Sequence, residues 1–239
     1  MSRRATIEQF FRLLRRKARG AASEVRYAHR KAIGSGNWTE PIRTMTFTAL
    51  DCEMTGLDPS RDEILSIGAV KIHNNRVAMG ERFYQVFKPT EAVSPKEIIL
   101  IHGLGHDEVS RGMPLAEALD RLLAFVGDSV LVGHYTAIDL QFLNAALAAR
   151  VGRVALKNPA LDTRLLYLWW RRATSRVDLA PAGAKLEEVA VELGLPRYPA
   201  HNAFYDALTT GLVFLKLLGE FEATGAVQFR ALYREAGVY

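Results

Sequence analysis

Two carboxylates two residues apart, Asp51 and Glu53, are the residues of this 239-residue chain best suited to chemistry. They follow residues 46–50, whose alternating β-branched and aromatic side chains predict a strand. Residues i and i+2 of a strand face the same side, so both charges point to one spot. Like charges partly removed from water are unfavourable unless a cation lies between them, and oxygen ligands suit Mg²⁺ or Mn²⁺. Taken alone, the Asp-x-Glu spacing is a weak signal, and two solvated acids on an edge strand are then the better interpretation.

Three more residues could complete such a site. Asp139 follows a predicted strand over residues 130–134 and begins a predicted helix, and ligands bind at the carboxyl ends of strands in such sheets. Asp206 lies in a helix predicted over residues 203–219, five residues after His201. Five helical residues turn through about 500° and rise about 7.5 Å, so we expect His201 in the loop before the helix. The alternatives are an acid favoured by a helix dipole at Asp139, a solvated helix acid at Asp206 and a surface histidine.

The elements that must position these residues follow from periodicity and turn signals. Strands are predicted over residues 45–53, 63–73 and 77–88, the last two joined as an antiparallel hairpin at residues 73–76. A short strand ending near residue 162 follows later, and helices are predicted over residues 94–101, 114–127, 138–150, 163–173, 185–194, 203–219 and 226–236, with a loop at 174–184. Antiparallel strands followed by strand–helix alternation predict an α/β fold, with helices flanking a mixed β-sheet.

Segments in chain order resemble the motifs of the DEDDh, or DnaQ-like, 3′–5′ exonucleases, and the overall pattern resembles their epsilon-like, or polymerase proofreading-subunit, group. Residues 49–59 and 64–70 resemble the first motif and its following strand, residues 101–104 a short His-Gly segment, and residues 132–139 and 201–206 the second and third motifs. The resemblance implies a ribonuclease H-like fold for a domain over residues 44–239. It implies two divalent ions, Mg²⁺ or Mn²⁺, held by Asp51, Glu53, Asp139 and Asp206. His201 would be the general base that takes a proton from the attacking water.

The family's activity gives the expected function: hydrolysis of phosphodiester bonds at single-stranded 3′ ends, with DNA favoured, to release nucleoside 5′-monophosphates in replication or repair. By position, Met54, Thr55 and Leu57 would contact the 3′-terminal nucleotide. Tyr135 stands where the family usually has Asn, and we expect it to stack on that nucleotide. Met54 also resembles the oligoribonuclease branch, so an RNA-directed exonuclease is one alternative. A non-catalytic nucleic-acid-binding or scaffold protein of the same fold is another.

Residues 1–43 are predicted to form a basic amphipathic helical extension and linker. Residues 1–44 contain eleven basic and three acidic residues, a net charge of +8, whereas the remainder carries −3. The extension's apolar face can pack on its own domain or contact a protein partner, anionic lipid or nucleic acid. No stretch reaches the 18 apolar residues of a membrane span. The single cysteine, Cys52, excludes an intrachain disulfide and favours the reducing cytoplasm.

Other polar residues are assigned structural roles. Asp162 is expected to cap the helix that it precedes, and His134 to pack in the core or at its rim. Asp58, Asp62 and Glu63 are expected to form a solvated turn. Cys52 is out of phase with Asp51 and should face the opposite side of the sheet.

Overall fold

A six-stranded sheet is the centre of the computed structural model, which describes residues 42–89, 111–151, 156–174, 183–225 and 227–238. The strands are β1 (Phe47–Met54), β2 (Ile64–His73), β3 (Arg76–Val86), β4 (Val130–Gly133), β5 (Ala160–Asp162) and β6 (Gly237–Val238), in the order β3-β2-β1-β4-β5-β6. The first three pair antiparallel, β1, β4 and β5 run parallel, and β6 is antiparallel to β5. The predicted mixed sheet is therefore confirmed.

Helices cover both faces of the sheet. They are α1 (Leu115–Val126), α2 (Thr136–Val151), α3 (Thr163–Ala173), α4 (Leu186–Glu192), α5 (Ala203–Ala223) and α6 (Phe229–Ala236), and a 3-10 helix spans Ile42–Thr44. One apolar cluster joins the sheet to α3, α4, α5 and α6, and a second joins it to α1 and α2. The protein is thus a three-layer α/β/α structure with the sheet buried between two helical layers.

The central strand β1 is buried on both faces because its side chains alternate between the two clusters. Phe47 and Ala49 pack in the cluster around α5, whereas Leu50 and Cys52 pack in the cluster around α1 and α2. The prediction that Cys52 faces away from Asp51 and into the core is confirmed. This alternation points Asp51 towards the layer that contains α5.

The predicted elements agree with the structure to within a few residues at their ends. The β2–β3 turn is built on Asn74 and Asn75 with φ of +50° and +58°, the left-handed pair that a tight hairpin turn requires. The short strand β6 was not predicted. The basic extension (apart from residues 42 and 43), the helix over residues 94–101, the His-Gly segment and most of the loop over residues 174–184 lie outside the described residues.

No helix in the described part of the chain combines the length and apolar character needed to cross a membrane.

The N-terminal turn of α5 lies directly on β2 at Gly68. A Cβ added there would come within 2.2 Å of the carbonyl carbon and oxygen of Ala203 and 2.4 Å of the nitrogen of Phe204. Gly68 is also the partner of Asp51 in the β1–β2 register. The missing side chain at Gly68 therefore allows the first turn of α5, which carries Asp206, to lie one strand from Asp51.

We expect Gly68→Ala to destabilise the protein strongly, because the added methyl group would overlap backbone atoms, which cannot move aside by a change of side-chain rotamer. Overpacking of this kind costs about 1–3 kcal/mol or more. Gly80→Ala on β3 is the matched control, since a Cβ at Gly80 meets nothing within 4 Å. Urea unfolding of both variants measures the difference. Equal stability of the two would contradict the close approach of α5 to β2.

Candidate active site

Three carboxylates converge at the carboxyl end of β1. Asp51 and Glu53 project from the face of β1 that points towards α5, and Glu53 is only 7% exposed. Asp206 reaches them from the first turn of α5. Ligand oxygen atoms of Asp51, Glu53 and Asp206 all lie within 4.8 Å of one another. Two elements distant in sequence thus bring three negative charges to one place.

Asp139 approaches the same strand end from the opposite layer, in the first turn of α2. It is 4% exposed, and its Oδ1 accepts a hydrogen bond of 3.0 Å from the backbone N–H of Cys52. The parallel pairing between β1 and β4 ends at Ala49. The Asp139 side chain therefore accepts its hydrogen bond from a part of β1 that no longer pairs with β4. The bond fixes the Asp139 carboxylate against the segment that carries Asp51 and Glu53.

Burial and mutual repulsion set the charge state of this cluster. Burial raises the pKa of Asp51 well above its ordinary value, and the charges of Glu53, Asp139 and Asp206 raise it further. Burial raises the pKa of Asp139 to about 8, although the N–H of Cys52 opposes the shift. Burial, followed by the charge of Glu53, raises the pKa of Asp206 to about 7. Without a cation, the cluster therefore retains protons near neutral pH.

The donor set fits hard divalent cations. All four side chains offer carboxylate oxygens, the ligands preferred by Mg²⁺ and Mn²⁺. The strongest electrostatic influences on Asp51 come from other carboxylates, so a bound cation would relieve a repulsion that the fold itself imposes. Asp51, Glu53 and Asp206 are close enough together to hold a divalent ion, and the role of Asp139 as a further ligand stays a prediction.

His201 lies in the loop before α5, as its spacing from Asp206 predicts. It is exposed, and its φ of +61° is in the left-handed region that residues other than glycine rarely adopt. Its backbone N–H donates a 2.8 Å hydrogen bond to Oδ2 of Asp206. The side chain of Asn202 accepts from the N–H groups of Phe204 and Tyr205 and caps α5. The turn that presents His201 is therefore fastened to the cluster.

Asp62 organises the loop that follows β1. The Thr55 hydroxyl donates to Oδ1 of Asp62 at 3.3 Å, and the Asp58 N–H donates to Oδ2 of Asp62 at 2.8 Å. A Cβ on Gly56 would lie 2.4 Å from Oδ1 of Asp62, so this glycine permits the close packing. The expectation of a solvated turn is thus wrong for Asp62, which is partly buried and bonded on both oxygens.

The residues expected to contact substrate are placed differently from one another. Met54, Thr55 and Leu57 are partly exposed at and just beyond the end of β1, next to Glu53. The Tyr135 hydroxyl instead donates to the Gly183 carbonyl oxygen at 2.7 Å. The guanidinium of Arg164 lies 5.0 Å from the centroid of the Tyr135 ring. Tyr135 therefore links the start of α2 to the segment before α4, and its contact with a nucleotide stays a prediction.

Two other polar residues have the structural roles predicted for them. Asp162 caps α3 by accepting a 2.8 Å hydrogen bond from the Arg164 N–H. His134 is buried, with Nδ1 2.8 Å from the Thr163 hydroxyl and Nε2 2.7 Å from the Ala184 carbonyl oxygen. Burial lowers the pKa of His134 to about 4, so its ring is neutral at physiological pH.

Sequence reasoning missed two residues that shape the site, Gly68 and Asp62. An isolated glycine inside a strand is a known signal of a close backbone approach, so Gly68 could have been singled out. Asp62 offers no comparable signal, because acids are common in solvated turns. Its role depends on the path that residues 54–63 take in three dimensions.

Comparison with known proteins agrees with this geometry. Residues 48–214 match the profile of the RNase_T exonuclease family. The chain belongs to this exonuclease family, and the predicted DEDDh, epsilon-like type is confirmed.

Individual relatives define how far the similarity extends. The DNA polymerase III subunit epsilon-like protein of Rhodobacter capsulatus is 33% identical over 198 residues, which are 82% of this chain and 27% of that protein. The DNA polymerase III subunit epsilon of Aquifex aeolicus is 28% identical over 175 residues, which are 73% of this chain and 81% of that protein. The nuclease domain of 3′hExo, a DEDDh family member bound to rAMP, shares the fold with a TM-score of 0.62 and 17% identity, over 76% of this chain and 95% of that domain. The chain spans about a quarter of the length of the Rhodobacter protein.

We expect Asp139→Asn to stabilise the metal-free protein at pH 8, because it removes a buried charge and keeps an oxygen for the Cys52 N–H. Asp139→Ala leaves that N–H without its acceptor, which costs about 1–3 kcal/mol and offsets the gain. Urea unfolding in EDTA compares both variants with the wild type. A metal-free Asp139→Asn protein that is less stable than the wild type would contradict the cost of burying a charge at this position.

The same shifts predict how the stability of the metal-free protein depends on pH. The folded pKa values of Asp139 and Asp206 are about 8 and about 7, above the unfolded value near 3.9. The folded state therefore binds more protons than the unfolded state in this window, so stability falls as pH rises from about 4 to about 8. Millimolar Mg²⁺ or Mn²⁺ should reduce this fall, since a cation replaces the protons. Thermal unfolding across this pH range, with EDTA or with metal, tests both expectations. A midpoint temperature of the metal-free protein that rises from pH 5 to pH 8 would contradict them.

Proposed function

We propose that this protein is a metal-dependent 3′–5′ exonuclease that acts on single-stranded 3′ ends, with DNA favoured, and releases nucleoside 5′-monophosphates. The observation that carries the proposal is the convergence of Asp51, Glu53 and Asp206 within 4.8 Å, with Asp139 bonded to the strand between the first two. Such a cluster is unfavourable unless cations bind to it, and phosphodiester hydrolysis is a reaction that cations at carboxylates assist.

Two divalent ions, Mg²⁺ or Mn²⁺, are the cofactors in this proposal, with Asp51, Glu53, Asp139 and Asp206 as ligands. When bound, such ions neutralise the phosphate and the leaving oxygen and make water a better nucleophile. The chain supplies a rigid set of ligands: β1 carries two of them, and the first turns of α2 and α5 carry the others. The ligands therefore lie on regular elements rather than on loops.

His201 is the proposed general base. A histidine suits proton transfer at neutral pH, since its charge changes more readily there than that of other side chains. It is exposed, and its backbone N–H donates a 2.8 Å hydrogen bond to Oδ2 of Asp206, so the residue is held next to the carboxylates and remains open to solvent. In this role it takes the proton of the water that attacks the terminal phosphodiester.

The burial of the carboxylates favours a substrate whose 3′ end is single-stranded. Glu53 is 7% and Asp139 is 4% exposed, so the scissile phosphate must enter a recess at the end of β1. A flexible single strand can enter such a recess more easily than a rigid duplex. Met54, Thr55 and Leu57 stand at its edge on the loop held by Asp62, where they would contact the 3′-terminal nucleotide.

An RNA substrate is the second candidate. The epsilon-subunit relatives support DNA, and with it a role in replication or repair in the cytoplasm. The solved 3′hExo domain binds rAMP and shares the fold, which supports RNA. A non-catalytic scaffold is the weaker alternative, because all four carboxylates and His201 are present.

Digestion of end-labelled oligonucleotides tests the proposal. With Mg²⁺ or Mn²⁺, a 5′-labelled single strand should give a ladder that shortens stepwise, whereas a 3′-labelled strand should release labelled mononucleotide at once. DNA and RNA of one sequence, single-stranded and duplex, identify the preferred substrate. Asp206→Asn should lower kcat by at least about 100-fold, since losing even the partner of a metal ligand costs 10–100-fold. Cleavage that persists in EDTA or in Asp206→Asn, or that begins at the 5′ end, would sink the proposal.

A further inference from the structure

Four aromatic rings follow one another across the surface at the start of α5. They belong to Tyr84 on β3, Phe204 and Tyr205 in the first turn of α5, and Tyr198 in the loop before it, and we call them the aromatic strip. Ring centroids are 6.5 Å apart for Tyr84 and Phe204, 5.7 Å for Phe204 and Tyr205, and 5.8 Å for Tyr205 and Tyr198. The last pair is stacked, with 8° between the ring planes.

Three of the four rings of the strip are exposed to solvent. Tyr84, Tyr198 and Tyr205 are 38%, 37% and 36% exposed, and they are three of the five large apolar side chains exposed among the described residues. Single exposed apolar residues are normal on a protein, but a contiguous group of them marks a binding surface. Tyrosine rings in such a group offer flat faces for stacking.

Strand register places the strip beside the carboxylates. Asp51 pairs with Gly68, and Gly68 pairs with Tyr84, so Asp51 and Tyr84 face the same side of the sheet in one row. Neighbouring strands are about 4.8 Å apart, which puts Tyr84 about 10 Å from Asp51 along that row. Phe204 lies above the glycine between them. One end of the strip is thus two strands from the cluster.

The other end of the strip borders a groove that reaches Asp206. Tyr198 precedes His201 by three residues, and Tyr205 is adjacent to Asp206. The groove has a volume of about 440 Å³, and its lining includes Leu186, Glu187, Glu188, Arg197, Tyr198 and Asp206. Its walls therefore combine a proposed metal ligand, one ring of the strip and an apolar surface, so the strip and the active site are continuous.

Exposed arginines flank both ends of the strip. Arg82 lies two residues before Tyr84 on the same face of β3, and Arg197 precedes Tyr198 in the groove wall. Glu187 and Glu188 line the α4 wall of the groove, which disfavours phosphates on that side. Aromatic rings between guanidinium groups match a chain that alternates flat bases with negative charges.

We propose that the aromatic strip and its groove bind the nucleotides upstream of the scissile phosphate. The tyrosine rings stack on unpaired bases, and Arg82 and Arg197 contact the phosphates. This inference rests on the proposed exonuclease function, in which residues 54–57 take the terminal nucleotide and leave the strip for its upstream neighbours. Because every base has a stacking face, the strip accepts single-stranded DNA and RNA of any sequence and excludes paired bases.

Leucine and phenylalanine variants of Tyr198 and Tyr205 separate stacking from folding. Phenylalanine retains the ring, whereas leucine removes it and retains apolar volume and helix propensity. For a single-stranded 12-mer, each Leu variant should raise KM by about 5- to 30-fold, and each Phe variant should keep KM within about twofold. The KM increase should be smaller on a dinucleotide, which has a single nucleotide upstream of its scissile phosphate and therefore covers little of the strip. Met79→Leu, an exposed side chain on β3 outside the strip, is the matched control.

Two measurements on folded protein complete the test with DNA and RNA 12-mers in parallel. Wild-type protein irradiated with a 5-iodouracil oligonucleotide should crosslink at Tyr84, Tyr198 or Tyr205, as mapped by mass spectrometry. Arg82→Gln and Arg197→Gln should each reduce the slope of log affinity against log salt by about 0.7.

The outcomes distinguish this inference from the function on which it rests. If the wild type cleaves the 12-mer but the Leu variants match it, or raise KM equally on the dinucleotide, the strip is not a strand-binding surface. Crosslinks only elsewhere lead to the same conclusion. If the wild type neither binds nor cleaves any oligonucleotide, the proposed exonuclease function itself fails.

Discussion

The close contact between β2 and the first turn of α5 is the constraint on which the site depends. Gly68 has no side chain to separate Ala203 from the sheet, so α5 begins directly above the row that contains Asp51. From that position Asp206 reaches the two carboxylates of β1, and Phe204 reaches Tyr84. A methyl group at Gly68 would push α5 away from the sheet, and both Asp206 and Phe204 would then move away from the residues that they contact. The chemistry and the proposed strand surface thus share one packing requirement.

The protein places several carboxylates at the buried end of β1, where the charged form is unfavourable. Asp139 and Glu53 are buried, and burial in the fold raises the pKa values of Asp51, Asp139 and Asp206. The surrounding layers provide the compensation, because apolar clusters on both faces of β1 hold the strand in place. Apolar packing is concentrated between the sheet and its covering helices, while the strand end brings carboxylates together. Carboxylates with strongly raised pKa values are typical of functional sites.

Much of this could be predicted from the sequence, for identifiable reasons. The strand pattern before Asp51, the spacing of His201 and Asp206 and the hairpin asparagines are local signals, and each led to the right element. Contacts between distant segments were not accessible in the same way. The bond from the Cys52 N–H to Asp139 depends on where β1 and β4 stop pairing, and the role of Asp62 depends on a loop that folds back on itself. The aromatic strip joins rings from β3 and α5 that only the register brings together.

The hydrogen bond from the His201 N–H to Oδ2 of Asp206 gives one carboxylate two tasks. In the proposed function, an oxygen of Asp206 that turned towards a cation would change the energy of the loop that presents His201, whose backbone is already left-handed. Thermodynamic linkage makes this influence reciprocal: whatever orders the loop changes cation affinity by the same factor. A nucleic acid strand bound against Tyr198, three residues before His201, would therefore bind with a different affinity when the ion is present, and it would in turn strengthen binding of the ion. In the proposed function, the strand and the ion would therefore bind cooperatively through a single side chain.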